Sequence, residues 1–283
     1  MTAERRGTLY LIAAALLYST GGLGIKAVDA PALTVAGCRA AIAALTLVVL
    51  LRPRGWRWTP AFALTVASYA LCITTFVVAT KWTTAANAIF LQFSGVIWVL
   101  LLAPRLLGEP RGPRDVVAIG VALAGLSLLL FSKLEPPGAG DGVAVLSGVF
   151  YAGLMLLLRR ERGVSAEAAV TIGNAAAAAV LLPVVLATTG LSLSPRSVLI
   201  LGWLGMVQIG AAVALLTRGL RWVGAAPAVL IGMVEPVANP VWVLLALGEV
   251  PSFASIVGGA MVIAAVAWRT SATPVTTQML PPE

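Results

Sequence analysis

Glu235 makes the greatest demand on its surroundings of any residue in this chain. It stands at the centre of an apolar run, residues 223–247, and no other acid lies as deep in any run. A carboxylate at that depth costs at least ~2.5 kcal/mol to insert, so it must be protonated, paired or wetted. Pro236 and Pro240 follow it. Each proline lacks an N–H and frees the carbonyl four residues earlier, at Gly232 and Pro236. A deep acid beside bare carbonyls can take a proton or an ammonium group. Glu235, Asn239 and Trp242 lie at i, i+4 and i+7 and so share one helical face. Asn87, Ser94 and Trp98, at i, i+7 and i+11, form a second such stripe. Two plainer roles stay open: Glu235 as half of a buried pair that locks helices, and the two Trp as packing or interfacial residues.

Other polar groups gather at similar depth. Tyr18, Tyr69 and Tyr151 lie near the middle of their runs, as do Gln92 and Gln208. Tyr in membranes usually sits in the interfacial belts, and only Tyr10 would do so here. Hydroxyls and amides facing lipid would be left unsatisfied, so these side chains should face a cavity or another helix. Hydrogen bonding between helices, worth ~0.6 kcal/mol on average, would explain any one of them. Six residues at one depth, Glu235 included, favour a polar cavity. Arg39 lies about two turns inside its run. It can snorkel to headgroups, pair with a carboxylate, or meet an anionic substrate group.

Several chemistries find no support. The chain has no His and two Cys, Cys38 and Cys72, both inside apolar runs. No Cys/His cluster, pair of deep carboxylates or nucleotide-binding loop is present, so no metal or cofactor is expected and an ATP-driven pump is excluded. An intramembrane enzyme using an activated Ser or Tyr remains an alternative.

The elements that hold these residues are membrane spans. Of 283 residues, 60% are hydrophobic and 11% charged, with a mean hydropathy of +0.99. Soluble domains carry about 25% charge. Ten spans are read at 8–27, 33–51, 60–80, 83–103, 115–132, 142–158, 166–187, 195–217, 223–247 and 252–268. Each approaches the ~20 residues that cross ~30 Å of hydrocarbon. Pro, Gly or charge marks most breaks. Arg5 and Arg6 ahead of an apolar run could open a signal peptide, but the run is long and polar at its centre. The net charge of +8 lies in short loops and not on one folded face, which argues against nucleic-acid binding. With the N-terminus inside, fourteen loop cations fall inside, and Lys26, Lys81, Lys133 and Arg196 fall outside. Ten spans then return the C-terminus inside. The tail, 270–283, is Thr- and Pro-rich and is expected to be disordered.

An internal repeat organises the spans. Residues 221–249, RWVGAAPAVLIGMVEPVANPVWVLLALGE, match residues 81–109, KWTTAANAIFLQFSGVIWVLLLAPRLLGE, without a gap. The copies lie in spans nine and four, which run in opposite directions. The chain therefore divides into five-span halves of opposite orientation, 1–135 and 136–269. Inverted repeats are a signature of secondary transporters with a site near the midplane. Small residues at four-spacing, Ala118/Ala122, Gly120/Ala124, Ala254/Gly258 and Ala260/Ala264, predict close packing of spans five and ten as peripheral supports.

The segment MVEPVANPVWVLLALGEVPSFASIVGGAMVIAAVAW resembles the closing segment of the drug/metabolite transporter superfamily, EamA type. It has an E-P pair in a helix, a helix ending in Gly-Glu, and a Gly-rich helix. The earlier copy keeps Gly108-Glu109 but has Gly95-Val96 in place of the E-P pair. Arg39 followed by AAIAALTLVVL is similar to the family's second helix. The resemblance implies an all-α polytopic membrane protein: ten transmembrane helices as two inverted repeats around a central cavity. It is greatest to bacterial exporters of amino acids, aromatic ones included, and of metabolites. It implies a multi-pass protein of the bacterial inner membrane, monomeric and with both termini cytoplasmic. Its expected substrates are small molecules, neutral or aromatic amino acids, moved outward by alternating access. A proton-coupled multidrug or nucleotide-sugar transporter of the same superfamily is the alternative. The expected substrate-binding residues are Tyr18, Arg39, Tyr69, Asn87, Gln92, Trp98, Tyr151, Gln208, Glu235, Asn239 and Trp242.

Overall fold

A computed structural model describes residues 2–54, 56–108, 112–131, 138–160, 165–224, 228 and 231–271. The expected tail beyond 271, the boundary between the two halves and Glu109 lie outside the described residues. Every regular element among those described is helical. Seven helical stretches are long and apolar enough to cross a membrane: α1 Ala3–Ala27, α2 Ala32–Leu51, α3 Pro60–Trp82, α4 Ala85–Leu107, α6 Ala139–Arg160, α7 Ala166–Thr188 and α8 Pro195–Gly219. Three further helices, α5 Pro113–Phe131, α9 Val234–Leu247 and α10 Phe253–Ser271, carry shorter apolar segments.

Local sequence explains the ends. Thr59, Thr84, Ser165 and Ser194 each accept a hydrogen bond from the amide three residues on, so the first turns of α3, α4, α7 and α8 are capped. Pro60 and Pro195 open their helices at positions where no N–H is needed. Thr83 and Thr84 separate α3 from α4, the break that the sequence marks most faintly.

Three spans are not regular. α1 breaks at Thr20, between Ala3–Ser19 and Gly21–Ala27. α4 breaks at Phe93, between Ala85–Gln92 and Ser94–Leu107. α8 is a π-helix over Trp203–Ala211. The pattern of α4 recurs at α9. Phe93 and Met233 have φ −64° with ψ −9° and −11°, and a 14-residue helix follows each. Both helices end on a glycine with φ 69°, Gly108 and Gly248. That left-handed turn strains any residue with a Cβ.

The contacts between helices come in matched pairs. α3 packs on α6 as α8 packs on α1; α4 packs on α6 as α9 packs on α1; α3 packs on α7 as α8 packs on α2. α2 meets α7, α4 meets α9, and α5 meets α10. The core threads between them through Ile25, Val35, Val77, Ile89, Leu91 and Leu204. Large apolar side chains such as Leu45, Leu199, Leu245 and Phe253 point outward, as they can where the surroundings are hydrocarbon.

Since lipid is as apolar as Leu, close approach must hold these helices together. Gly125 faces the Gly258 carbonyl and Met261, which joins α5 to α10. Ala118, Ala122, Gly258 and Ala265 are buried on the same seam. Ala124, Ala260 and Ala264 are exposed, and Gly120 faces open space. Half of the expected small-residue stripes therefore do not pack. Four-spacing repeats on more than one face of a helix, and only one face meets the partner.

Candidate substrate site

Five of the expected residues converge from five helices. Arg39 on α2 is buried, 6% exposed. Its charge acts on Tyr18 of α1, Tyr69 and Cys72 of α3, and Glu235 of α9. Glu235 in turn acts on Tyr18 and on Tyr151 of α6. Arg39 and Glu235 attract one another without closing to an ion pair; among the described residues the pair that closes is Lys26–Glu249. The Nη1 atom of Arg39 is buried with no hydrogen-bond partner. Arg39 is thus turned to the interior, and the snorkelling role does not hold. Glu235 is half-buried and Tyr151 is 37% exposed.

Glycines let these side chains reach inward. Tyr69 lies against Gly173, Tyr151 against Gly95, Gln208 against Gly21, and Asn239 against Gly22. A methyl group at any of the four would meet the polar side chain opposite. Tyr69 also accepts a hydrogen bond at its hydroxyl from Nδ2 of Asn174, 3.0 Å away.

The break in α1 is pinned from two helices. The Trp203 indole donates to Oγ1 of Thr20 at 3.2 Å, and the Trp242 indole donates to Oγ of Ser19 at 2.9 Å. Nε2 of Gln208 donates to the Tyr18 carbonyl at 3.2 Å. Ser19 and Thr20 bond back to the carbonyls of Leu16 and Leu17 at 2.7 Å, which bends the chain and takes up acceptors that the break would expose. Trp203 and Gln208 both lie on the π-helix, whose wide turns are common at functional sites. Oε1 of Gln208 and Oδ1 of Asn239 have no partner. Two unused amide oxygens therefore stand beside the broken helix, and the Nη1 group of Arg39 is unused as well.

Gln92 sits near this cluster but is engaged. Its Nε2 donates to Oγ of Ser147 at 2.8 Å and to Sγ of Cys72 at 3.6 Å. Asn87 and Trp98 do not join it. Asn87 donates to Asp141 at 3.2 Å and accepts from Ser255 at 2.7 Å, in a polar network at one end of the helices. Trp98 lines a cavity of about 230 Å³ with Ser94, Leu101, Leu123, Ser127 and Val145, between α4, α5 and α6. The stripe through Asn87, Ser94 and Trp98 assumed an unbroken helix. The helix is interrupted at Phe93, and Asn87 and Trp98 meet different surroundings on either side of it. Trp242 reaches the site's edge through Ser19 and keeps 37% of its surface exposed.

The sequence reading passed over Ser19, Thr20, Trp203, Ser147 and Asn174. Ser19-Thr20-Gly21-Gly22 in mid-span was a signal for the break, and Asn174 is an amide deep in its run. Nothing in the sequence marked the π-helix.

This arrangement of broken, apolar helices around polar groups has known relatives. The EamA-like transporter family matches residues 5–131 and, a second time, residues 138–270. The chain belongs to the EamA-like transporter family. An uncharacterized transporter of Archaeoglobus fulgidus (strain ATCC 49558 / DSM 4304 / JCM 9628 / NBRC 100126 / VC-16) is 26% identical over 269 residues, 94% of this chain and 97% of that protein. A solved crystal structure with 22% identity superposes with a TM-score of 0.68, covering 94% of this chain and 98% of its own, and shares the fold. This EamA-like protein is accordingly a multi-pass membrane transporter.

Proposed function

We propose that this transporter carries small zwitterions, chiefly neutral amino acids with apolar or aromatic side chains, and acts in export. The observation that carries the reading is the buried Arg39, with an unused Nη1, within electrostatic reach of Glu235, Tyr18 and Tyr69. Arg39 suits a carboxylate, since its guanidinium offers a rigid fork of donors. Glu235 and the free oxygens of Gln208 and Asn239 suit an ammonium group. The Tyr18, Tyr69 and Tyr151 rings offer faces to an apolar side chain or a cation. A polyvalent cation would find Glu235 as its one deep counter-charge and Arg39 against it.

Alternating access by two inverted halves is the mechanism that fits. Three observations support it: the family matches twice along the chain, the helix contacts come in matched pairs, and α4 and α9 share a backbone break and a terminator. Two such halves can rock about a site at their junction. With one deep acid and no His, proton coupling has few carriers, so we read the movement as facilitated, down the substrate gradient. The cation distribution supports an N-terminus and a C-terminus on the cytoplasmic side.

The test is uptake of labelled neutral amino acids into liposomes containing the protein, with and without a pH gradient. Saturable uptake that equilibrates without the gradient is expected. Accumulation that requires the gradient overturns facilitated movement. Flux of organic cations or nucleotide sugars without amino-acid flux overturns the substrate.

A further inference from the structure

The helix ends near Lys26 hold a cluster that the substrate site does not use. Nζ of Lys26 lies 3.2 Å from Oε2 of Glu249, with the two side chains 20% and 24% exposed. The other oxygen of Glu249 accepts the backbone amide of Ala85 at 2.6 Å, at the first turn of α4. Lys26 donates also to the Thr83 carbonyl at 2.7 Å, and Lys81 donates to the Val28 carbonyl at 2.5 Å. One ion pair thus ties the end of α1 to the segment after α9 and to the start of α4. Those elements come from both halves of the chain.

The tie sits over a seal. Every residue from Ala85 to Leu91 is buried. Of the corresponding residues ahead of α9, the two that are described, Ala228 and Ile231, are half-buried, where Ala88 and Leu91 at the matched positions are buried. The molecule is therefore shut at the Lys26 end. We propose that Lys26 and Glu249 form the latch that holds the Lys26 end shut, so that breaking their pair lets the site open there. This rests on the transporter reading above, because only a protein that exposes its site to two sides in turn needs a latch that opens. The pair suits the task. It is mostly shielded, so breaking it has a real cost, and it is made of charges that water can receive once the end parts.

The experiment follows labelling, not flux. Ala86→Cys, in a chain with Cys38→Ala and Cys72→Ala, puts a thiol inside the seal. Its reaction with a maleimide is followed in detergent solution, which makes the reading independent of orientation in a bilayer. Glu249→Gln keeps an acceptor for the Ala85 amide and removes the charge. It is expected to speed labelling about tenfold, as is Lys26→Gln. The exchanged pair, Lys26→Glu with Glu249→Lys, loses the hydrogen bonds to the Ala85 amide and the Thr83 carbonyl but keeps the charge pair, so its rate should fall back between the parent and the single variants. A second reporter, Ala168→Cys at the buried contact of α7 with α3, should label at one rate in all variants. Unchanged labelling of Ala86→Cys in both single variants overturns the latch. So does equal acceleration at both reporters, which is general loosening. If neither single variant folds while the exchanged pair does, the ion pair is a fixed clamp and the latch is overturned. Accelerated labelling in a protein without amino-acid flux would leave the latch standing and remove the substrate reading.

Discussion

At the scale of single residues, the site is defined by what is left unpaired. Most polar side chains in its neighbourhood have partners: Gln92 has Ser147, Tyr69 has Asn174, Trp242 has Ser19. Arg39 keeps one N–H unused, and Gln208 and Asn239 keep an oxygen each. An unmade hydrogen bond of this kind costs ~1–3 kcal/mol when the group is buried, and a ligand that completes it recovers that cost. Glu235→Gln retains the size of the side chain and removes the charge. It should lower the rate of amino-acid uptake at least tenfold and leave the thermal midpoint within a few degrees. A lowered midpoint with unchanged uptake would make Glu235 a structural residue. Arg39→Lys should raise the KM for a neutral amino acid roughly tenfold, since a point charge cannot reproduce the planar fork, and should leave an amine lacking the carboxylate unaffected. The residues of this cluster are legible in the amino-acid sequence, because depth in an apolar run exposes every polar atom as an exception. Their pairing is not. Asn87 shares a stripe with Ser94 and Trp98 in the sequence but stands near the start of its run. Only the position of Asp141, from another helix, shows that it belongs to an end network.

At the scale of elements, irregular helices position the site. The three spans that depart from a plain α-helix, α1, α4 and α8, differ in cause. α1 bends where Ser19 and Thr20 bond back to their own helix, and α8 widens over Trp203–Ala211, the stretch that reaches α1. Gly22 lies between them and Asn239, and its hydrogen is all that fits. Gly22→Ala should force Asn239 or the α1 break to move, at ~1–3 kcal/mol. In a thermal unfolding assay this should appear as a lowered midpoint, relieved in part by Asn239→Gly as a second change. No relief from that pair would show that Gly22 acts through the backbone and not through contact. The spans themselves were legible from hydropathy and loop charge, since each must be apolar over its crossing length. The breaks at Thr20 and Phe93 and the π-turns were not, because hydropathy has no term for the phase of a helix.

At the scale of the whole molecule, the helices within the two family matches, residues 5–131 and 138–270, make matched contacts in exchanged roles. The start of α4 is sealed, and the described residues at matched positions before α9, Ala228 and Ile231, are half-buried. A transporter with two equivalent halves must have a second state in which that difference is reversed. Glu249 seals one end by holding the Ala85 amide and Lys26. In the sequence Glu109 stands where Glu249 stands in the other copy, each directly after a Gly. Glu109→Gln should therefore act in the opposite sense to Glu249→Gln. If each carboxylate favours closure of its own end, removing Glu109 stabilises the state that is shut at the Lys26 end. Labelling of the Ala86→Cys reporter should then slow about tenfold below the parent. The double variant, Glu109→Gln with Glu249→Gln, should label near the parental rate, since two opposing shifts of ~1.4 kcal/mol cancel in the equilibrium and each alone is about tenfold. Acceleration by Glu109→Gln, or a double variant as fast as Glu249→Gln alone, would show that the two ends do not exchange roles. The measurement is the maleimide rate for the four proteins at one reagent concentration.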